Sequence, residues 1–373
     1  MSVSSYIDSY LSGYKNYKEY WNYEDGCVLM GAKQLFLATG DRKYLDFITD
    51  YLYKLIDENG VITNYETGKH NIDGFNPGKV LFIAYEETGD ERFKKALDFL
   101  MSQLGEQPRT KEGNFFHKSI YPYQVWLDGL YMAQPLYMEY ETKYGGKGNY
   151  SDILKQFRNV RRIMRDPEKE LSYHGYDEAR EQPWADKETG LSPNFWLRSM
   201  GWYLMALIDV IDSCSKEMYE YYDEFCEQFR ETLFGILKYR DEKTGLFLQV
   251  IDHPEAEGNY AETSGSAMVA YAVMKASRLE VISREKYEAL GKDIFDCLVR
   301  EKLVSENGSE HLKDICWVAG LGPGEKRDGS VEYYLSEKIV SDDPKGVGPF
   351  MMAYAQKLML EKNPGGTYGK QAL

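Results

Sequence analysis

The sequence predicts an all-α fold, an (α/α)6 toroid built from six helical hairpins. Three observations lead there: a duplicated helix–turn–helix signature, a recurrent charged turn, and the lack of an internal linker. The signature is seen in ATGDRKYLDFITDYL from Ala38 and ETGDERFKKALDFLM from Glu87, whose glycines, Gly40 and Gly89, are 49 residues apart. In each, Gly suits the position just past a helix and Asp suits the N-cap of the next. The charged turn, followed by a short apolar or aromatic stretch, recurs as DENGVI (57–62), TKEGNFF (110–116), DPEKELSYH (166–174), DEKTGLF (241–247) and SENGSEHL (305–312). A unit of about 60 residues divides the chain into roughly six hairpins, and stacked helical units are what such a period indicates. An open solenoid is the alternative, but irregular repeats and aromatic loops suit a closed ring better. With no Pro/Gly/Ser linker, residues 1–362 are expected to form one domain and 363–373 a flexible tail.

Along the chain, the N-terminal segment shows helical spacing through Tyr6/Ile7, Tyr10/Leu11, Tyr14, Tyr17 and Trp21. The helix after the second TGD turn places Phe93, Ala96, Leu97, Leu100, Met101 and Leu104 on one face. The stretch SPNFWLRSMGWYLMAL (192–207) reads as a helix with Ser192 at the N-cap and Pro193 at its first position. Its core face would be Met200, Tyr203, Leu204, Leu207, Ile208 and Ile211, while Asn194, Arg198 and Trp202 share another stripe. GLGPG (320–324) lacks the Lys-Ser/Thr of a phosphate loop and reads as a plain loop.

Composition narrows the function. The 373 residues carry a formal charge of −15, which disfavours nucleic acid and anionic membranes as partners. Tyrosine is frequent, with 32 against 16 Phe and 6 Trp, and amphipathic rings suit a protein that holds polar ligands such as sugars. Five scattered cysteines without CxxC spacing read as free thiols of a reducing compartment. No apolar stretch resembles a signal peptide or a membrane span, so a cytoplasmic protein is expected. No histidine or cysteine spacing suits a metal, and no cofactor fingerprint is present, so neither is expected.

The segment YPYQVWLDGLYM (121–132) sets Asp128 among aromatic and aliphatic residues. An unpaired buried carboxylate is costly, so it finds partners or takes up a proton. Asp128 is either a helix N-cap or a general acid, since desolvation favours the protonated form that an acid catalyst needs. Asp73, in KHNIDGFNPGKVLFIAY, has the same two readings: a cap, or a second carboxylate near Asp128. Arg198 beside Trp202 is either a cavity-facing pair on an inner helix or a buried arginine paired with an acid of a neighbouring helix.

Taken in order, YWNYEDG (20–26), FHKSIYPYQVWLDGLYM, SYHGYDEAR, PWADKETGLSPNFWLRSMGWY, ETSGS (262–266), HLKDIC (311–316) and GVGPFMMAYA (346–355) resemble glycoside hydrolase family 105, the unsaturated rhamnogalacturonyl hydrolases. The resemblance covers most of the chain. It implies the (α/α)6 toroid and removal of a 4,5-unsaturated uronic acid from the non-reducing end of pectin (rhamnogalacturonan) fragments made by lyases. It implies that Asp128 is the general acid and Asp73 the second essential carboxylate. It further implies that Trp126, Trp196 and Trp202 wall the sugar ring, with Arg198, His174, His117 and Lys118 as polar contacts and Tyr23 as a further member. Lys118, Arg198 and protonated histidine would supply a local positive field for a short acidic oligosaccharide, the expected partner of a monomeric enzyme. The stretch GLGPGEKRDGSVEYYL (320–335) is longer than expected for that loop in the family. The rival readings are an unsaturated glucuronyl hydrolase of family 88 type acting on glycosaminoglycan fragments, a sugar epimerase on the same toroid, and a non-catalytic sugar-binding protein.

Overall fold

The computed structural model describes residues 2–363 apart from 323 and 325. Twelve of its 13 described α-helices form two concentric rings. The inner ring runs through α2 (Tyr23–Thr39), a 3-10 segment (Ile72–Val80) continuing into α4 (Leu81–Thr88), α6 (Leu127–Lys143), α8 (Leu197–Ser213), α10 (Thr263–Arg278) and α13 (Pro344–Lys362). Each packs on the next, and α13 returns to α2, so the ring closes as an (α/α)6 toroid. The outer helices are α1 (Val3–Gly13), α3 (Arg42–Leu55), α5 (Glu91–Gly105), α7 (Tyr150–Met164), α9 (Tyr219–Leu237) and α11 (Arg284–Lys302).

The two rings differ in sequence for a physical reason. Outer α3 buries only Tyr44, Leu45, Ile48, Thr49, Tyr51, Leu52 and Leu55, one stripe at helical spacing. Inner α10 buries every residue from Thr263 to Ser277, as a helix enclosed on all sides must. Close approach of inner helices demands glycine: a Cβ on Gly348 would stand 2.3 Å from the Cys27 carbonyl, and one on Gly201 would stand 2.6 Å from Met268 Sδ. The expected face of α8, from Met200 to Ile211, is buried.

Turns from inner to outer helices are short. Gly40 (φ 74°) and Gly89 (φ 68°) end α2 and α4 in the left-handed region, and Asp41 and Asp90 cap α3 and α5 as expected. Returns from outer to inner helices are long, and the recurrent charged turns all lie on them. Asp57 accepts from the Asn59 and Val61 amides beside the Ile56–Ile62 bridge. Asp166 likewise accepts from Glu168 and Lys169 beside the Arg165–Ser172 bridge. After α11 the same device is a full hairpin, β3 (Leu303–Glu306) with β4 (Ser309–Leu312), while β1 (Gln124–Trp126) pairs with β2 (Gly175–Asp177) ahead of α6. All these long connections gather at the rim formed by the N-termini of the inner helices.

Two expected boundaries are corrected. The N-terminal helix ends at Gly13, so Tyr17 and Trp21 lie in a non-helical, bent strap over 14–22. Buried Asp25 holds that strap, accepting from the Tyr14 hydroxyl, the Tyr17 amide and the Asn22 side chain. Helix α8 starts at Leu197 with Trp196 at its N-cap. Residues before it are tied in bridges, Leu191 to Tyr176 and Trp196 to Val250, and Ser192 Oγ accepts from the Gly175 amide instead of capping a helix. The tail expected at 363–373 lies, beyond Asn363, outside the described residues, as does Pro323 of GLGPG.

Candidate active site

The inner-helix N-termini and their long loops enclose a cavity of about 300 Å³, small for a ligand site and suited to the end of a chain. Asp128, Asp73, Trp126, Trp196, Trp202, Arg198, His117, Lys118 and Tyr23 all line it. His174, the remaining candidate, lies one layer behind.

Asp128 is the second residue of α6, and the N-cap is Trp126, which makes no side-chain cap bond. Its Oδ2 is buried without a hydrogen-bond partner and faces His174 Nε2 at 3.3 Å, a contact lacking hydrogen-bond alignment. His174 is fully buried; its Nδ1 meets the Tyr334 hydroxyl at 2.8 Å, which fixes the ring. Asp128 therefore lines the cavity with its Oδ2 turned back towards His174.

Asp73 is not a cap either, because Asn71 caps the 3-10 segment and accepts from the Asp73 amide. Its carboxylate meets Lys118 Nζ at 2.7 Å and His117 Nε2 at 3.4 Å. Burial alone would raise its pKa, but Lys118 and His117 outweigh that and hold it below the usual carboxylate range. Burial pushes the His117 imidazole down to about 4, against the pull of Asp73. His117 is thus neutral at neutral pH, which corrects the expectation that a protonated histidine adds to the positive field.

The walls are aromatic. Trp126 stacks on His117 (4.4 Å between centroids) and on Tyr121 (5.0 Å), and its indole N–H donates to Gln124. Trp196 donates to Gln249 and lies parallel to Tyr334. Trp202 stacks on Tyr131 at 4.8 Å, forming the floor. Arg198, four residues before Trp202 on α8, is 1% exposed. Its guanidinium lies 4.9 Å from the Trp196 ring centroid and donates to the carbonyls of Cys316 and Trp317. Among the described residues no carboxylate forms a direct ion pair with it. Ser264, which it also meets, donates to buried Glu262 at the N-cap of neighbouring α10, so the alternative of an acid partner survives in indirect form. Asn194 parts from this stripe, because it precedes the helix and donates to the Gly329 carbonyl.

Sequence reasoning missed two walls. The 14–22 strap and the start of α2 bring Lys18, Tyr20, Trp21, Asn22 and Glu24 to the cavity, with Lys18 and Glu24 paired at 2.8 Å. The stretch after β4, of which 320–324 reads as a plain loop in the sequence, supplies Val318, Ala319, Gly320 and Arg327. Lys18 and Lys118 each have a carboxylate partner, whereas among the described residues Arg198 and Arg327 have none in a direct ion pair. With the positive ends of the inner helices pointing at this rim, the cavity suits an anion within a protein of charge −15. Among the described residues no cluster of His, Cys, Asp or Glu is arranged to hold a metal ion, and no helix is long and apolar enough to cross a membrane. All five cysteines are buried and unbridged.

A helical toroid with an acid-bearing, aromatic-walled rim cavity has the form of a polysaccharide-processing enzyme. The sequence matches Glycosyl Hydrolase Family 88 over residues 4–361. The chain belongs to this family, in the family 88/105 group of glycoside hydrolases. A family 105 glycoside hydrolase from C. acetobutylicum ATCC 824 is 40% identical and superposes with a TM-score of 0.90, covering 95% of this chain and 99% of that one. Protein Atu3128 of Agrobacterium fabrum (strain C58 / ATCC 33970) is 41% identical over 242 residues, 62% of this chain and 100% of that protein. The unsaturated rhamnogalacturonyl hydrolase YesR of Bacillus subtilis (strain 168) is 23% identical over 265 residues, 69% of this chain and 72% of YesR.

Proposed function

We propose that the enzyme removes the 4,5-unsaturated uronic acid from the non-reducing end of lyase-generated rhamnogalacturonan oligosaccharides, with Asp128 as its general acid. The observation that carries this is the carboxyl group of Asp128 on the cavity wall, not used as a helix cap and backed by His174, whose Nε2 lies 3.3 Å from its buried Oδ2. YesR supports the substrate class by name, and the aromatic walls and positive field support an acidic sugar.

The terminal sugar is a vinyl ether. Asp128 delivers its proton to C4, and positive charge develops at C5 and the ring oxygen. Water adds at C5 and returns a proton to Asp128. The C5 hemiketal then opens to a ketone, leaving C1 as a hemiacetal that expels the aglycone. Only one carboxyl group exchanges protons, so the paired-carboxylate geometry of ordinary glycosidases is not needed. His174 holds Asp128 in orientation, and Asp73, kept ionised by Lys118, stabilises the developing positive charge.

Incubation with lyase-generated rhamnogalacturonan oligosaccharides should abolish the ultraviolet absorbance of the C4–C5 double bond as free aglycone appears. Persistent absorbance with measurable binding would leave a sugar-binding protein, and turnover confined to glycosaminoglycan fragments would move the substrate class.

A further inference from the structure

The cavity has a charged group that the hydration step does not use. Arg327 lines the wall from the stretch between β4 and α12 (Val331–Ser336), yet its residue is exposed, unlike Asp73, His117, Arg198 and Trp202 on the same cavity. No carboxylate among the described residues pairs with it. A Cβ built on Gly320 would lie 3.5 Å from the Trp126 ring and 3.9 Å from Arg327 Nη1, so Gly320 has the aromatic wall and the guanidinium as neighbours, and all three line the cavity. Tyr121, stacked on Trp126, and Tyr20, 45% exposed, extend that wall towards solvent. A cavity closed at the floor takes the chain end first, so whatever reaches the exposed rim belongs to the leaving group. Desolvating an arginine without a counter-charge is unfavourable, and a ligand anion supplies one with bidentate geometry.

We infer that Arg327 and the Tyr121/Trp126 wall form a leaving-group subsite that selects aglycones carrying an anionic group, a uronate carboxylate or a sulfate ester. The inference rests on the hydrolase reading above for which end of the ligand lies at the floor.

Arg327→Met keeps the aliphatic stem against Gly322 and removes the charge. Three unsaturated ligands separate the possibilities: a disaccharide with a neutral rhamnose aglycone, an oligosaccharide with a uronate in the aglycone, and a disaccharide with a sulfated aglycone. KM and calorimetric affinity are both measured, so charge selectivity of binding is decided even if double-bond hydration fails and the hydrolase reading falls. The expected result is a loss of about three- to tenfold in affinity for one or both anionic ligands, with the neutral one unchanged. That loss should shrink at high salt, as an exposed charge contact does. Which anionic ligand responds identifies carboxylate or sulfate. An equal loss on the neutral ligand, or no loss on any, overturns the inference.

Discussion

The two ends of helix α8 each carry buried charge, and they are built in opposite ways. At its C-terminal end Asp209 meets Lys275 Nζ at 2.8 Å and the Tyr271 hydroxyl at 2.6 Å, and Lys275 also meets Asp212 at 2.8 Å. At its N-terminal end Arg198 has carbonyls in place of a carboxylate, and Asp128 across the cavity has an oxygen without a bond. Between them lies a stack of Trp202 on Tyr131, with Lys79 Nζ 3.2 Å from the Tyr131 ring centroid on the other side. Trp202 and Tyr131 thus separate a sealed polar core from an open one. The C-terminal cluster sets one lysine between two carboxylates, although Asp209 Oδ2 is itself without a bond, whereas at the N-terminal end Arg198 and Asp128 line a cavity that a ligand can enter.

The sharpest way to break the comparison is Asp128→Asn. A structural acid tolerates this change, but a general acid loses the proton it must deliver. General acid catalysis contributes about 10²–10⁴-fold, and because the same group takes the proton back from water, the loss in kcat should reach about 10⁴-fold. The melting temperature and sugar affinity should stay near those of the parent. Turnover within about tenfold of the parent would remove Asp128 from the mechanism.

Lys275→Met tests the opposite end. Removing one partner of a buried ionic cluster costs about 3–5 kcal/mol, because the remaining carboxylate stays buried without its cation. Denaturant midpoints should fall accordingly, while kcat and KM at low temperature stay within about twofold. A large kcat loss in a folded variant would show that the two ends of α8 are coupled.

Much of this arrangement was legible in the sequence, and the exceptions have a common cause. The TGD turns and charged turns are local chemistry, Gly in the left-handed region and Asp accepting from amides two to four residues on, so they could be read directly. Arg198 and Trp202, one helical turn apart, were placed on one stripe for the same reason. Ser192-Pro193 misled because bridges to Tyr176 and Val250 hold that stretch extended, a tertiary pairing that overrides good capping chemistry. Tyr17 and Trp21 continue a helical pattern only on paper, since Asp25 takes the Tyr17 amide. Arg327 joins Trp126 on one cavity across some two hundred residues of chain, which no local pattern encodes. His174 was recognised, but its place behind Asp128 needed the three-dimensional arrangement.

The open end should also show in the pH dependence of stability. His117 is buried and neutral, with its pKa at about 4 against about 6.5 for an ordinary histidine. The unfolded chain binds that proton first, so this stability is present above about pH 6.5 and is lost as pH falls towards 4. Asp73, also depressed, adds its loss only below the ordinary carboxylate range. Between pH 7 and pH 5 the His117 contribution should drop by about 2 kcal/mol, and His117→Gln should flatten that slope in urea titrations. An unchanged slope in the variant would mean that His117 is not held neutral.

The mildest probe is Trp202→Phe, at the boundary between the two ends. Trp202 has one face on Tyr131 and borders the cavity with the other, so the substitution should register in both compartments. On the open side it narrows the platform under the sugar, and aromatic packing beyond area burial is worth about 0.5–1.5 kcal/mol, or about two- to tenfold in KM. On the sealed side it leaves a small void against Tyr131 that lowers the melting temperature without unfolding the ring. Because phenylalanine has no part in proton transfer, kcat should move less than KM. Were stability alone to fall, with affinity for the unsaturated sugar unchanged, Trp202 would belong to the core, and the floor of the cavity would have to be sought among its other aromatic residues.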